Sequence, residues 1–279
     1  MSRTIALTTL AMLAFAANSL LCRLALLQGR IDAATFGSVR LLAGALALAL
    51  ILRWRAGPAP AAGGSDWRAA VALFAYVAFF SFAYLSLSAG TGALILFGAV
   101  QLTMFGAGLR AGERFQPLAW AGFAAAVAGL LYLVAPGVTA PPLLGATSMA
   151  LAGVAWGIYS LRGRGVADPL RATAGNFARA TPLMLVLSLA MAGQARADAA
   201  GVGLAVASGA IASGMGYVIW YAALRGLSAL RAATVQLSVP VIAAFGGVLF
   251  LAESISWRLA LASAAILGGI ALVLASRAR

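Results

Sequence analysis

The chain has 279 residues, 63% of them apolar and 9% charged, and it contains no His and no Lys. That balance excludes a water-soluble fold, and the missing lysine excludes a Gly-x-x-x-x-Gly-Lys phosphate loop and an ATP motor built on one. The net charge of +13 comes from arginines placed singly at helix ends rather than in a patch, so it speaks for membrane topology and against nucleic acid.

Long charge-free runs define the class. Between Arg68 and Arg110 lie 41 uncharged residues, and between Arg114 and Arg162 lie 47. Each is enough for two spans of about 20 residues and a turn. Ten spans are predicted, near residues 4–22, 33–52, 68–88, 91–109, 117–134, 143–161, 171–192, 203–224, 231–251 and 258–275. The first run carries no small-residue cleavage pattern and is expected to be retained. The longest connection, Arg53 to Arg68, holds Pro58, Pro60 and Gly63-Gly64. The Pro136–Pro142 link between spans five and six is the candidate boundary between residues 1–135 and 143–279.

Arginine placement predicts orientation. With the amino terminus inside, 13 arginines fall on cytoplasmic connections and 4 outside (Arg23, Arg30, Arg196 and Arg258), while Arg40 and Arg179 lie within spans. Both termini are therefore expected in the cytoplasm. Cys22 is alone, so no intramolecular disulfide forms, and without His no soft-ligand metal site or cofactor is expected.

The chain repeats itself. A slide of 140 residues sets Phe105-Gly106 on Phe245-Gly246, Leu109 on Leu249, Glu113 on Glu253 and Gly129 on Gly269. A slide of 137 sets Phe80 on Tyr217, Tyr84 on Tyr221 and Leu87 on Leu224, and one of 139 sets Arg23 on Arg162 and Arg40 on Arg179. Five spans is an odd number, so the second half must run upside down relative to the first. Inverted repeats with a binding site at their interface are typical of secondary transporters.

The most distinctive stretch is Tyr217 to Ser256, in which an apolar run ends at Arg225 and another carries Pro240 near its middle. A proline there frees the carbonyl of Gln236 and bends the axis, a candidate gate. With AGVAWGIYSLRGRG at 152–165, NFARATP at 176–182 and ALRGLSALRAATVQLSVPVIAAFGGVLFLAES at 223–254, the second half resembles an EamA repeat of the drug/metabolite transporter superfamily. The first half is a weaker copy, with Val100 where Pro240 stands. Taken whole, the chain is most similar to bacterial inner-membrane aromatic amino-acid exporters of the YddG type. The resemblance implies an all-α membrane protein, ten helices as two inverted five-helix repeats around a central cavity, exporting amino acids or related metabolites.

Polar and aromatic residues about halfway along the spans are the candidate substrate contacts: Asn18, Tyr76, Phe80, Gln101, Trp156, Tyr217, and Ser238 beside Pro240. Amides can hold both charged ends of an amino acid, and aromatic faces suit apolar side chains or an ammonium group. Asn18, Gln101 and Trp156 rank first, because their helices line the cavity the resemblance implies. The competing reading is interhelical packing and hydrogen bonding.

Arg40 and Arg179 are the deepest ionisable residues. They could grip a carboxylate or phosphate, as a nucleotide-sugar or sugar-phosphate carrier would require. Each lies only ~10–12 Å from its helix start, within reach of the interface, so a structural, snorkelling role is the preferred reading. Glu113 and Glu253, beside Arg114 and Arg258, read as interfacial anchors. With no carboxylate or His left inside the bilayer, transport is expected to be facilitative, and an intramembrane enzyme is disfavoured. Both repeats lie in one chain, so the partners expected are a small-molecule substrate and the lipid bilayer, with a monomer sufficient.

Overall fold

Four of the six acidic residues stand immediately before helices, where each side chain accepts from otherwise unpaired N–H groups of the first turn. Asp32 accepts from Ala34 and Thr35, Asp66 from Arg68, Asp168 from Arg171 and Asp198 from Gly201. Ser88 and Ser256 do the same for Thr91 and Leu259. Pro117 opens a further helix and Pro169 follows Asp168 at the start of its own, both in a position where a missing N–H costs nothing. The scarce polar residues therefore punctuate an apolar chain.

The computed structural model describes residues 2–55, 66–112, 115–137, 139–163, 166–224 and 235–276. The helices are α1 (Ser2–Leu27), α2 (Ala33–Trp54), α3 (Trp67–Ala83), α4 (Ala89–Arg110), α5 (Pro117–Val134), α6 (Leu143–Gly163) and α7 (Pro169–Ala190). Then come α8 (Ala199–Val206), a π-helical stretch (Ala207–Met215), α9 (Gly216–Leu224), α10 (Ser238–Leu251) and α11 (Trp257–Ala275). α8, the π stretch and α9 run on as one span, which makes ten among the described residues. Seven are long and apolar enough to cross a membrane by themselves. α3 and α10 are apolar but short, and α7 is polar for a span, holding Arg171, Asn176 and Arg179. The chain is a multi-pass, all-helical membrane protein.

The pairing of helices follows the repeat. α2 packs on α7, α4 on α10 and α5 on α11, each helix meeting its counterpart from the other half. The remaining large contacts come in exchanged pairs: α3 on α6 mirrors α9 on α1, α4 on α6 mirrors α10 on α1, and α2 on the π stretch mirrors α7 on α3. Swapping the halves maps this set onto itself, as two inverted copies joined about a two-fold require. Between α5 and α11 the approach is backbone to backbone. A Cβ on Gly122 would lie 2.4 Å from the Gly269 carbonyl oxygen, and one on Gly269 would lie 2.5 Å from that of Gly122. Small residues permit such contact in lipid, where apolar side chains gain little from burial against one another.

Span nine differs from expectation. α10 starts only at Ser238, after a turn at Leu237, so Pro240 occupies the first helical turn rather than a mid-helix position. A proline lacking an N–H fits the first turn without a lost bond, and the interruption falls before it. A proline inside a continuous helix is Pro182 in α7. Glu113, Arg114 and residues 225–234 lie outside the described residues.

Candidate functional site

Arg40 stands seven residues into α2, about 10 Å along the axis, and is 1% exposed. It does not snorkel. Two features pin it: the π stretch crosses α2 so closely that a Cβ on Gly209 would lie 2.1 Å from the Arg40 carbonyl oxygen, and Met184 and Phe177 of α7 fill the space beside Gly37 and Gly44. Held inward, the guanidinium donates from Nε to Ser213 Oγ (3.2 Å) and from Nη2 to the Tyr76 hydroxyl (3.1 Å). Its carbon lies 5.2 Å from the Tyr76 ring centre and 4.9 Å from that of Phe80. Nη1 is buried and has no hydrogen-bond partner. An unmet donor on a charged group costs more than the ~1–3 kcal/mol of a neutral one.

The Tyr76 hydroxyl also receives Asn18 Nδ2 at 3.4 Å, and Asn18 Oδ1 accepts from Ser208 Oγ at 2.5 Å. Around this network the aromatic rings close. Trp156 lies 4.9 Å from Tyr76, 5.1 Å from Tyr217 and 5.5 Å from Tyr159. Phe80 lies 5.3 Å from Tyr76, and Phe15 and Phe177 stand edge-on to Tyr217 at 6.1 and 5.9 Å. Contributions come from α1, α2 and α3 of the first half and α6, α7, the π stretch and α9 of the second.

Five of the residues predicted from sequence, Asn18, Tyr76, Phe80, Trp156 and Tyr217, thus meet in one cluster. No hydrogen bond joins Gln101 or Ser238 to it among the described residues. Ser238 donates instead to the Val235 carbonyl of its own turn at 2.6 Å. Arg179 stays partly exposed over the Trp67 ring at 5.7 Å, with Nη1 unpartnered. Ser208 and Ser213 were not among the predicted contacts. Their signal is the doubled Ser-Gly in Ser208-Gly209 and Ser213-Gly214, small polar pairs that let a widened helix approach α2.

Ion pairs tie the halves together at both ends of the bundle. At the end where α1 finishes, Arg23 Nε donates to Glu253 at 3.2 Å, and Glu253 accepts the Ala89 N–H that opens α4 at 2.8 Å. Glu253 is therefore paired with Arg23, not Arg258. Arg258 donates to the Tyr132, Leu133 and Ala135 carbonyls at the end of α5, where a cation complements the helix dipole. At the opposite end Arg162 Nε donates to Asp66 at 2.6 Å, and Arg55 donates to Asp168 at 3.0 Å. A small cavity of about 20 Å³ opens there, lined by Asp66, Tyr159, Arg162, Thr173 and Asn176 among others. Tyr159 touches Trp156, so the cavity abuts the central cluster.

The Asp66 carboxyl is held below its ordinary 3.8, first by the Arg68 N–H and then by Arg162. At Asp32 burial pushes upward, but hydrogen bonds from Thr35 and Arg196 outweigh it, and the net shift is again downward. A lowered folded-state pKa contributes stability above the ordinary value and loses it as pH falls through the lowered one. The melting temperature of the purified protein should therefore stay level from neutrality to about pH 5 and fall in stronger acid. In Asp66→Asn part of that acid-side drop should vanish. A drop centred near pH 6.5 would contradict this assignment. No group of His, Cys, Asp or Glu able to hold a metal occurs among the described residues.

The second half of the chain matches a known family. Residues 143–275 match the EamA-like transporter family. The chain carries an EamA-like transporter domain. The helices that this domain supplies, α6 to α11, bring Trp156, Phe177, Ser208, Ser213 and Tyr217 to the cluster. Over 276 residues the chain is 57% identical to the uncharacterized protein PA1977 of Pseudomonas aeruginosa, spanning 99% of this chain and 96% of that one. The two belong to one family. One solved crystal structure shares the fold at a TM-score of 0.64 and 20% identity, over 96% of this chain and 98% of the other. The family of that domain is one of small-molecule transporters of the drug/metabolite superfamily.

Proposed function

We propose that the protein is a secondary transporter that exports amino acids, aromatic and other neutral ones, across a bacterial inner membrane by alternating access. The observation that carries this reading is the convergence of Asn18, Tyr76, Phe80, Trp156 and Tyr217, drawn from both halves, on one buried cluster between the inverted copies. The arginine bias places both termini in the cytoplasm, and residues 1–135 and 143–279 are the two moving units. With the described carboxylates engaged at helix ends, transport is facilitative or follows the charge of the substrate itself.

Liposomes carrying the purified protein and loaded with labelled tryptophan, phenylalanine or threonine test this, with and without an imposed pH gradient. Flux of several amino acids irrespective of the gradient is expected. Trp156→Ala should lower that flux about 10-fold, since it removes ring contacts worth about 0.5–1.5 kcal/mol each, and Trp156→Phe should restore most of it. Unchanged flux in Trp156→Ala would remove the cluster from the pathway. A second reading, a sugar-phosphate or nucleotide-sugar carrier, is favoured by the buried Arg40, and flux of those solutes alone would establish it.

A further inference from the structure

Arg40 is a buried cation with no carboxylate beside it. Among the described residues the ion pairs are Arg23–Glu253, Arg30–Asp198, Arg55–Asp168, Arg171–Asp168 and Arg162–Asp66, and Asp32 is occupied by backbone N–H groups. All stand at helix ends, whereas Arg40 faces a hydroxyl on Ser213, a hydroxyl on Tyr76 and two aromatic rings. Neutral partners fix the direction of the guanidinium without neutralising it. They leave Nη1, buried and unpartnered, as the unfilled valence of the site. Charges at bilayer depth are kept where they serve a substrate or ion, and a guanidinium matches a carboxylate in plane and charge.

We infer that Arg40 is the carboxylate anchor of the central site, and that the substrates are small monocarboxylates with an aromatic or apolar body. The ring faces of Phe80, Tyr76 and Trp156 receive the body, while Nη1 and the Tyr76 hydroxyl meet the carboxylate. No acidic side chain described in the cluster stands ready for an ammonium group, so the amine of an amino acid is tolerated rather than required. One guanidinium balances a monoanion, and a phosphate dianion would leave a net charge buried. This inference rests on the transporter reading and narrows it.

Four probes that share or vary one feature decide the matter: phenylalanine, 3-phenylpropionate (carboxylate without amine), phenethylamine (amine without carboxylate) and glucose 6-phosphate. Each is tested for thermal stabilisation of the purified full chain and for competition with labelled phenylalanine flux in liposomes. Phenylalanine and 3-phenylpropionate should bind and compete, with phenethylamine weaker by on the order of 10–100-fold. In Arg40→Met that preference should disappear, and Arg40→Lys should retain part of it. If Arg40→Met does not fold, the probe series on the unmodified protein still decides.

Phenethylamine matching 3-phenylpropionate, or phenylalanine flux that 3-phenylpropionate leaves untouched, would overturn the anchor while leaving the amino-acid exporter standing. Stabilisation by glucose 6-phosphate alone would overturn it in favour of phosphorylated solutes. No stabilisation and no flux with any probe would remove the exporter reading and the anchor together.

Discussion

Gly209→Val should cost about 3 kcal/mol or more and prevent recovery of a monodisperse protein. The position where α2 meets the π stretch has no room for a side chain. A Cβ there would lie 2.1 Å from the Arg40 carbonyl oxygen, 2.8 Å from its carbon and 2.9 Å from Cα, all backbone atoms that cannot swing aside. Relief would require separating the two helices, which would also pull Ser213 from Arg40. Gly203→Ala, six residues earlier in the same span, is the matched control. Nothing lies within 4 Å of its Cβ position, so it should be neutral or stabilising by up to about 1 kcal/mol. Melting curves in detergent and the monodisperse fraction on gel filtration read both variants. Equal stability of Gly209→Val and the parent would mean that α2 and the π stretch do not meet at this point.

Glu253→Ala should destabilise the protein by about 2–3 kcal/mol. The carboxylate serves two helices besides its own, through Arg23 on α1 and the first N–H of α4, and its side chain and that of Arg23 are each 12% exposed. Local backbone geometry aims it. Ala252 takes the left-handed conformation at φ 52°, turning the chain back so that the Glu253 N–H reaches the Gly247 carbonyl at 3.1 Å. Gly247 leaves the space, since a Cβ there would lie 2.4 Å from the Glu253 carboxylate. Glu253→Gln keeps an acceptor for the Ala89 N–H and should lose about half as much. A double-mutant cycle with Arg23→Gln should give a coupling of at least about 0.5 kcal/mol. Strict additivity would dissolve the pair. Efflux driven by a pH gradient and abolished in Glu253→Gln would instead make this residue a proton carrier and end the facilitative reading.

Much of the architecture was legible along the chain. Apolar runs of this length can cross a membrane only as helices, because lipid leaves a backbone N–H no other partner than its own segment. The slides that set Gly129 on Gly269 and Arg40 on Arg179 foreshadow the exchanged helix pairs that the fold displays. Asn18, Tyr76, Phe80, Trp156 and Tyr217 were recoverable because polar or aromatic groups at mid-span are rare in so apolar a sequence. Mid-span position fixes depth alone. It carries no rotation, so it could not tell which mid-span groups such as Gln101 would hydrogen-bond to the cluster. For Ser238 the fold shows a local partner instead, since α10 begins there and its hydroxyl turns back to Val235.

Composition and period thus determined class, span number and repeat by themselves, since those depend on how each segment meets lipid. Partners were decided only by the tertiary structure. Arg40 lay close enough to an interface to snorkel, and it is buried because Gly209 lets another backbone close over it and Ser213 and Tyr76 give its protons somewhere to go. Glu253 stood five residues from Arg258, yet it pairs with Arg23 across the bundle because Ala252 reverses the chain. An ion or a hydroxyl takes the partner that lies nearest in space, and that distance does not exist until the helices have packed.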